Sequence, residues 1–442
     1  MSKSLKMVRV FLVLGQDPPK HRALNQLAWQ RLKGGWLGAD GPCPWDISES
    51  RDSILIYNQA PSNSTMLYTR GPNTSFVTNY PPFLRVVGRD IPNRRFLDRW
   101  IEGTEVLARG IQQDFFKDVF RVPFGHTLRL SDRGARVVEC VHYPQEQWVF
   151  EDALTRLKVL LYRSVLDGVE RDSKHALALS SGLDSTLLGA ILRDCAPKLH
   201  AFTMESRVPG ADERHFTQES ANLLGLPLLG FDIDQCPVLE TSATMDRFWG
   251  PQAHPGEGHE TEFFQFVADR GFKTIWTGVA ADQLFHVDPS VVIRETITRP
   301  GWSASELLNP GRGWRGMLNR ENPRIPFNSV AWDLAVRHQM RVQERTGVTL
   351  IQPFMEPDFV NFVLGLPNLF LASPSCDKLI LREVGSRLIP QFNNFRRKHT
   401  DFGPSVQFRL NYERATRSKT FSPKEWRRTA AERWLGLFYG KR

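Results

Sequence analysis

Cysteine is scarce in this 442-residue chain, and what little there is lies scattered. Cys43, Cys140, Cys195, Cys236 and Cys376 are odd in number and form no Cys-x-x-Cys pair. A disulfide framework and a structural zinc site are therefore not expected. Long apolar runs are absent too. The basic start, Met1 to Val10, leads into an apolar stretch that ends at Leu14, shorter than the roughly 20 residues a spanning helix needs. It has no small-residue cleavage site, so the expectation is a cytoplasmic protein without a membrane span. Acidic residues are outnumbered, 48 against 57 Lys and Arg, giving a formal charge of +9. That balance suits acidic ligands such as nucleotides, carboxylates or nucleic acid without choosing among them. The length leaves room for two or three domains. The 12 Trp and 29 Phe are spread through apolar segments rather than set on a basic strand, which marks them as core.

The most informative stretch runs Ala176-Leu177-Ala178-Leu179-Ser180-Ser181-Gly182-Leu183-Asp184-Ser185-Thr186-Leu187-Leu188-Gly189. A short apolar run gives way to small polar residues and resumes with helical spacing, which reads as a buried strand, a tight loop and a helix start. Ser180, Ser181, Gly182, Asp184 and Ser185 offer hydroxyls, N–H groups and one carboxylate beside a helix N-terminus, a place that favours phosphate. Asp184 would repel an anion unless a divalent cation lies between them. No Lys of the Gly-x4-Gly-Lys-Ser/Thr kind follows, so cleavage between β and γ phosphates is not indicated. Taken alone, the loop also fits a polar turn with a Ser cap.

A second strand, Lys273 to Trp276, ends in Thr277-Gly278-Val279-Ala280-Ala281-Asp282-Gln283-Leu284-Phe285, again small residues carrying one Asp. Two carboxylates from neighbouring strand ends can hold one Mg2+ against pyrophosphate, which neither does alone; the plain alternative makes Asp282 a turn residue. Between the two loops, Leu199 to Met204 and Leu228 to Asp232 read as strands, and the segment from Asp212 to Gly225 as a helix. Asp212 and Glu213 either complement that helix dipole or, for Glu213, face a ligand. Asp152 to Leu166 has helical periodicity, so a domain boundary falls at about residue 148. Before it, short strands such as Met7 to Leu14 and Ser53 to Tyr57 alternate with Gly/Pro/Asn-rich loops, and Phe96 to Ile101 and Glu105 to Ala108 are helix pieces. Residues 289–326 are rich in Arg, Gly, Pro and Trp and read as a lid or substrate-facing loop region. From Ser422 a capping box with Glu425 opens a basic amphipathic end that either packs back or meets a partner.

The Ser180-Ser181-Gly182-Leu183-Asp184-Ser185 loop resembles the Ser-Gly-Gly-x-Asp-Ser loop of ATP pyrophosphatases, with Ser181 in place of the first Gly. The Asp282 loop resembles the Leu-Ser-Gly-Glu-Gly-Ala-Asp-Glu-Leu-Phe phrase of asparagine synthetases. Asp377-Lys378-Leu379-Ile380-Leu381-Arg382 resembles their Lys-x-x-Leu-Arg helix, and Arg396-Arg397-Lys398 their Arg-x-Lys segment. The stretch from Phe116 to Leu130 resembles the end of their glutaminase domain.

The resemblance implies an α/β and α+β two-domain chain: a degenerate N-terminal nucleophile-type glutaminase-like domain at 1–147, then a parallel-sheet ATP pyrophosphatase-like synthetase domain at 148–442 with a basic C-terminal tail. It implies ATP and Mg2+ as cofactors, Asp184 and Asp282 as metal ligands, and Leu179, Ser180, Ser181, Gly182, Ser185, Met204, Thr277 and Gly278 along the nucleotide and pyrophosphate. It gives Lys398 the negative charge that develops on the acyl-adenylate. Position 2 is Ser rather than the glutamine-cleaving Cys, and Val279 stands where asparagine synthetases carry Glu and β-lactam synthetases Tyr. Both departures point to lasso-peptide macrolactam synthetases, in which an Asp or Glu side chain of a precursor peptide is adenylated and attacked by the peptide's own N-terminal amine. A leader-processing protease is the implied partner, and nucleic acid is not. A small-molecule amide or β-lactam-type synthetase and a catalytically degenerate scaffold subunit remain the alternatives.

Overall fold

Alternating burial organises the first half of the chain. The structure, a computed structural model, describes residues 9–14, 27–32, 35–40, 45–49, 53–58, 65–69, 76–103, 113–131, 133–138, 148–238, 246–252, 254–285, 287, 330–373, 376–392 and 423–439. Its N-terminal part contains β1 (Val10–Leu14), β2 (Ala28–Leu32), β3 (Gly35–Ala39), β4 (Asp46–Glu49), β5 (Ile54–Asn58), β6 (Leu67–Thr69), β7 (Phe76–Thr78), α1 (Arg94–Glu102), β8 (Val119–Arg121), β9 (His126–Ser131) and β10 (Gly134–Val138). They form two antiparallel sheets of order β2-β3-β1-β7-β6-β8 and β10-β9-β5-β4. Val10 and Leu12 of β1 point between the sheets, where they meet Ile54, Ile56, Leu128 and Leu130. Phe11, on the opposite face of the same strand, packs under α1 with Phe96, Leu97 and Trp100. This is the period-2 alternation of a strand buried on both sides. The expected strand and helix at Ser53–Tyr57 and Phe96–Ile101 are present, whereas Glu105–Ala108 lies outside the described residues.

The second part follows as α2 (Phe150–Leu166), β11 (His175–Ala178), α3 (Leu183–Cys195), β12 (Leu199–Glu205), α4 (Arg214–Leu224), β13 (Leu228–Asp232), α5 (Glu257–Asp269), β14 (Thr274–Trp276), α6 (Ala281–Phe285), α7 (Val330–Thr346), β15 (Thr349–Ile351), α8 (Pro357–Gly365), α9 (Asn368–Leu371), α10 (Leu379–Leu388) and α11 (Pro423–Tyr439). Five of these strands make one parallel sheet of order β13-β12-β11-β14-β15. The chain enters at the middle, builds outward through β12 and β13, then crosses back to build the other side. Leu177, Ala201, Trp276 and Ile351 face a core shared with α2, α3 and α4. Ala176, Phe202, Ile275 and Leu350 face α5 and the end of α7. Helices cover both faces, as an all-parallel sheet requires. Gly189 in α3 has no room for a side chain: a Cβ there would lie 2.6 Å from Leu224 Cδ1 and 2.9 Å from Leu177 Cδ2. The mixed α/β architecture with a parallel sheet in the second part is the coarse fold expected; the two antiparallel sheets of the first part are seen only in the structure.

The two parts are joined through their helices. α7 and α11 lie on the N-terminal large sheet, where Val330, Leu334 and Met340 of α7 and Trp426, Ala430 and Trp434 of α11 share the core of Phe11 and Trp100. Residues 423–439 thus pack back onto the protein, against the half farthest from them in sequence. Ser422 of the expected capping box lies outside the described residues. Beneath α7, buried Arg337 pairs with Asp114 and, at 2.8 Å, with Asp333. Asp333 also accepts the Thr65 hydroxyl at 2.5 Å. Asp333 has a second guanidinium in Arg121 at 3.7 Å, so the buried charges compensate one another, as an unpartnered buried charge is costly.

Trp434 is fully buried and its indole N–H donates to the Arg247 carbonyl at 2.9 Å. Trp434→Ala is expected to lower stability by about 3–5 kcal/mol, seen as a lower urea midpoint. An unchanged midpoint would show that α11 contributes nothing to the N-terminal core.

Candidate functional site

A parallel sheet with order β13-β12-β11-β14-β15 has one place where neighbouring strands send their connections in opposite directions, between β11 and β14. Helices cannot close the carboxyl edge there, and a crevice results. The loop after β11 leads into α3 on one face, while the crossover into β14 comes from α5 on the other. Both Asp-bearing loops of the sequence end at this crevice.

The β11 loop is braced by its own hydroxyls. Ser185 Oγ accepts from Ser180 N at 3.0 Å and lies 3.0 Å from Ser180 Oγ, and Gly182 N donates to Ser180 Oγ at 3.1 Å. Ser181 Oγ donates to Glu213 Oε2 at 2.7 Å, so Glu213 ties the loop to the start of α4, while Asp212 is engaged by Arg214 at 2.7 Å. The Leu179 side chain lies in the core and its N–H donates to the Phe202 carbonyl at 2.8 Å; what it can offer a ligand is backbone. Met204 lies toward the end of β12, half-buried against Phe202 and Phe263. α3 begins at Gly182 without a side-chain cap, so its first-turn N–H groups point at the crevice, a ready place for an anion.

The β14 loop comes very close. A Cβ on Gly278 would lie 3.1 Å from Asp184 Cβ and 3.4 Å from Ser185 N. The next residues turn sharply: Ala280 has φ +79, a left-handed conformation that L-residues other than Gly, Asn and Asp seldom adopt. Thr277 Oγ1 is buried without a hydrogen-bond partner. Val279 is half-buried against the core and carries no group that moves a proton.

Between the loops sits an ammonium that the sequence pattern did not assign to the site. Lys378 Nζ donates to Asp184 Oδ2 at 2.6 Å and lies 2.5 Å from Asp282 Oδ1. The Lys378 side chain is 10% exposed and that of Asp282 77%, so the pair is closed on the protein side and open outward. Burial opposes the Lys378 charge, but Asp184 and Asp282 outweigh it and raise the pKa. Burial also pushes the Asp184 carboxyl up, against the pull of Lys378. Asp184 Oδ1 remains buried without a partner. Lys378 is visible in the sequence only as the Lys before Leu379-Ile380-Leu381-Arg382. Lys398, Ser2 and the 289–326 region lie outside the described residues.

The donor set fits Mg2+. One cation already reaches both carboxylates, all donors are oxygen, and a third oxygen, Asp184 Oδ1, is unpartnered. Among the described residues no group of three or more His, Cys, Asp and Glu is arranged to hold a metal ion by itself. Two carboxylates completed by phosphate oxygens and water is the usual way Mg2+ is held.

Residues 156–300 match the asparagine synthase family. That span includes β11 to β14, Asp184 and Asp282, and stops before Lys378. Members of this family are ATP-dependent, AMP-forming ligases. No curated protein matches the chain. Among solved structures, the chain is similar to the U34-tRNA thiolase NcsA of Methanococcus maripaludis, determined with its 4Fe-4S cluster, at 12% identity over 68% of this chain and 86% of that one, with a TM-score of 0.28. It is also similar to a predicted subunit of tRNA methyltransferase from Methanocaldococcus jannaschii at 12% identity over 42% and 69%, with a TM-score of 0.20. No helix among the described residues is long and apolar enough to cross a membrane.

A second polar cluster lies at the N-terminus of α5. As the crossover into β14, α5 runs back along the sheet, so its start lies at the carboxyl edge too. Arg341 Nη2 donates to His338 Nδ1 at 2.9 Å, leaving His338 Nε2 3.3 Å from Glu260 Oε2. Arg341 and His338 also flank Glu257, at 3.5 and 3.4 Å. Burial works against the Glu260 charge, but His254, His338 and His259 outweigh it and hold its pKa down at about 2.

Ala280→Gly relieves the left-handed strain and should stabilise the protein by roughly 0.5–1 kcal/mol; a lower melting temperature would show that the Ala methyl is needed. Glu260, with a folded pKa below its ordinary 4.5, contributes stability that is present above that value and lost as the pH falls toward about 2. Glu260→Gln should therefore be less stable than the parent at pH 7, with the urea midpoints converging on acidification. A constant difference across the pH range would contradict the assignment.

Proposed function

We propose that this chain is an ATP-dependent amide synthetase that forms a macrolactam on a precursor peptide. The observation that carries the ATP half is the meeting of Asp184, Asp282 and Lys378 at the β11/β14 crevice, beside the uncapped start of α3. The asparagine synthase match, which spans Asp184, Asp282 and the start of α3, supports it.

In the first step a carboxylate oxygen attacks the α-phosphorus of ATP and pyrophosphate leaves, giving an acyl-adenylate. Asp184 and Asp282 would hold Mg2+, which when bound neutralises charge on the phosphates. The first-turn N–H groups of α3 receive phosphate oxygens, and the hydroxyl brace of Ser180 and Ser185 keeps the loop in the shape that exposes them. Gly278 lets the second loop close on the first without a side chain between them. In the second step an amine attacks the acyl carbon, and AMP and a proton depart. Lys398 is assigned the oxyanion of that step.

The acceptor is read from what the β14 loop lacks. Val279 packs on the core and cannot serve as the loop base, so positioning carries more of the second step. An amine belonging to the same molecule as the activated carboxylate meets that demand, since it is already held near. The proposed substrate is a precursor peptide whose Asp or Glu side chain is joined to its own N-terminal amine, after a protease partner has exposed that amine. The N-terminal sheets are proposed to be a glutaminase-like scaffold without the nucleophilic Cys.

Incubation with ATP, Mg2+ and linear peptides bearing an N-terminal Gly and a downstream Asp or Glu should release pyrophosphate and yield a product lighter by one water. Asp184→Asn should reduce pyrophosphate release by about 100-fold or more, while Ser2→Ala should leave it unchanged. Turnover with a small amino acid alone would refute the peptide reading, and no pyrophosphate with any acceptor would refute the synthetase.

A further inference from the structure

We propose that Lys378 is a placeholder: its ammonium keeps Asp184 and Asp282 closed to a free divalent cation and releases them only when the cation arrives with nucleotide phosphates. The inference rests on the nucleotide reading of this crevice.

The position of the ammonium is the first support. It lies 2.6 Å from one carboxylate and 2.5 Å from the other, at the place both share. A free Mg2+ entering there must push Lys378 aside, leaving a nearly buried ammonium without a counter-charge, which is costly. A cation entering with a polyphosphate does not meet that cost. The phosphate oxygens offer Lys378 a new partner as the carboxylates pass to the metal, and every charge in the crevice stays paired.

The number of ligands is the second support. Two protein carboxylates are too few to enclose a small, strongly hydrated cation, and among the described residues no third His, Cys, Asp or Glu joins them. Mg2+ sites of this kind are completed by substrate phosphates. The exposed Asp282 carboxylate marks the side from which metal and phosphate enter.

The backbone at Lys378 is the third. It has φ 51 and ψ 35, left-handed, immediately before the first residue of α10. Lys gains nothing from that conformation, which costs roughly 1–2 kcal/mol for an L-residue. Such strain persists where surrounding structure holds a side chain in a required place. Here the place is set by Asp184, which is 194 residues away in the chain. Arg382, one turn on, is held by Asp377 at 2.5 Å and acts on Asp184 less strongly than Lys378 does.

The test uses the full chain and Mn2+ as probe, with free Mn2+ read by electron paramagnetic resonance. Without nucleotide the parent protein should bind Mn2+ weakly, and an α,β-methylene ATP analogue should tighten binding. Lys378→Met should bind Mn2+ without nucleotide at least about tenfold more tightly than the parent, a gain of about 1.4 kcal/mol. Mg2+ alone should raise the melting temperature of that variant and leave the parent unmoved. Lys378→Arg, which keeps the charge, should behave as the parent. Lys378→Gln gives the same reading should the Met variant fold poorly. Equal or weaker Mn2+ binding in the neutral variants, or parent binding as tight without the analogue as with it, overturns the placeholder. These titrations are independent of turnover: unchanged Mn2+ binding alongside pyrophosphate release refutes the placeholder alone, and the predicted Mn2+ behaviour without any pyrophosphate release refutes the synthetase alone.

Discussion

Two neighbouring parallel strands whose connections leave on opposite faces cannot be roofed by either connection. In this chain those strands are β11 and β14, and the crevice above them is where the two Asp-bearing loops, the start of α3 and the ammonium of Lys378 converge. The core fixes the strand order. Leu177 and Trp276 share one apolar layer with α2 and α3, Ala176 and Ile275 share the other with α5. Trp276 Nε1 donates to His175 Nδ1 at 3.1 Å, clamping the two strands at their base. A site built this way inherits its precision from the sheet.

The crevice also collects strain. Of the non-glycine residues with positive φ among those described, Ala280 and Lys378 both belong to it. One turns the loop that carries Asp282, the other presents the ammonium that bridges the carboxylates. Neither conformation is favoured by its residue type. Both are held by packing and by a buried ion pair, so the site is stabilised by the fold around it.

Much of this arrangement is legible in the sequence. The apolar runs at Ala176, Leu199, Leu228 and Thr274 mark strands because each is short, rich in aliphatic residues and followed by small polar ones. Asp184 and Asp282 stand out as a pair: either alone could complement a helix dipole, but each follows a buried strand through a loop of small residues, a repeated pattern that suits one shared cation. Lys378 does not stand out. It is the Lys of the Lys-x-x-Leu-Arg resemblance and precedes a helix that buries Ile380 and Leu381, but its partners lie far away in the chain, so nothing local shows that it meets the two carboxylates. The His338, Glu260 and Glu257 cluster escaped for the same reason, since α5 and α7 meet only in three dimensions. The helical cover of the N-terminal sheet is equally non-local: nothing near Phe11 announces that Trp434 will lie beside it.

That last contact bears on how the chain comes to be folded. A ribosome delivers the N-terminal strands long before α7 and α11, yet those helices cover the outer face of the large sheet, with Phe11, Phe76 and Trp100 beneath them. During synthesis this apolar face is without the cover of α7 and α11, though α1, Phe83 and Phe115 already pack on it. Such a surface on an unfinished chain is a place for premature association. The interval between the first strand and the last helix is therefore when the nascent protein is most exposed to its neighbours, and a pause or stop in translation before residue 423 would leave the N-terminal half with an open core.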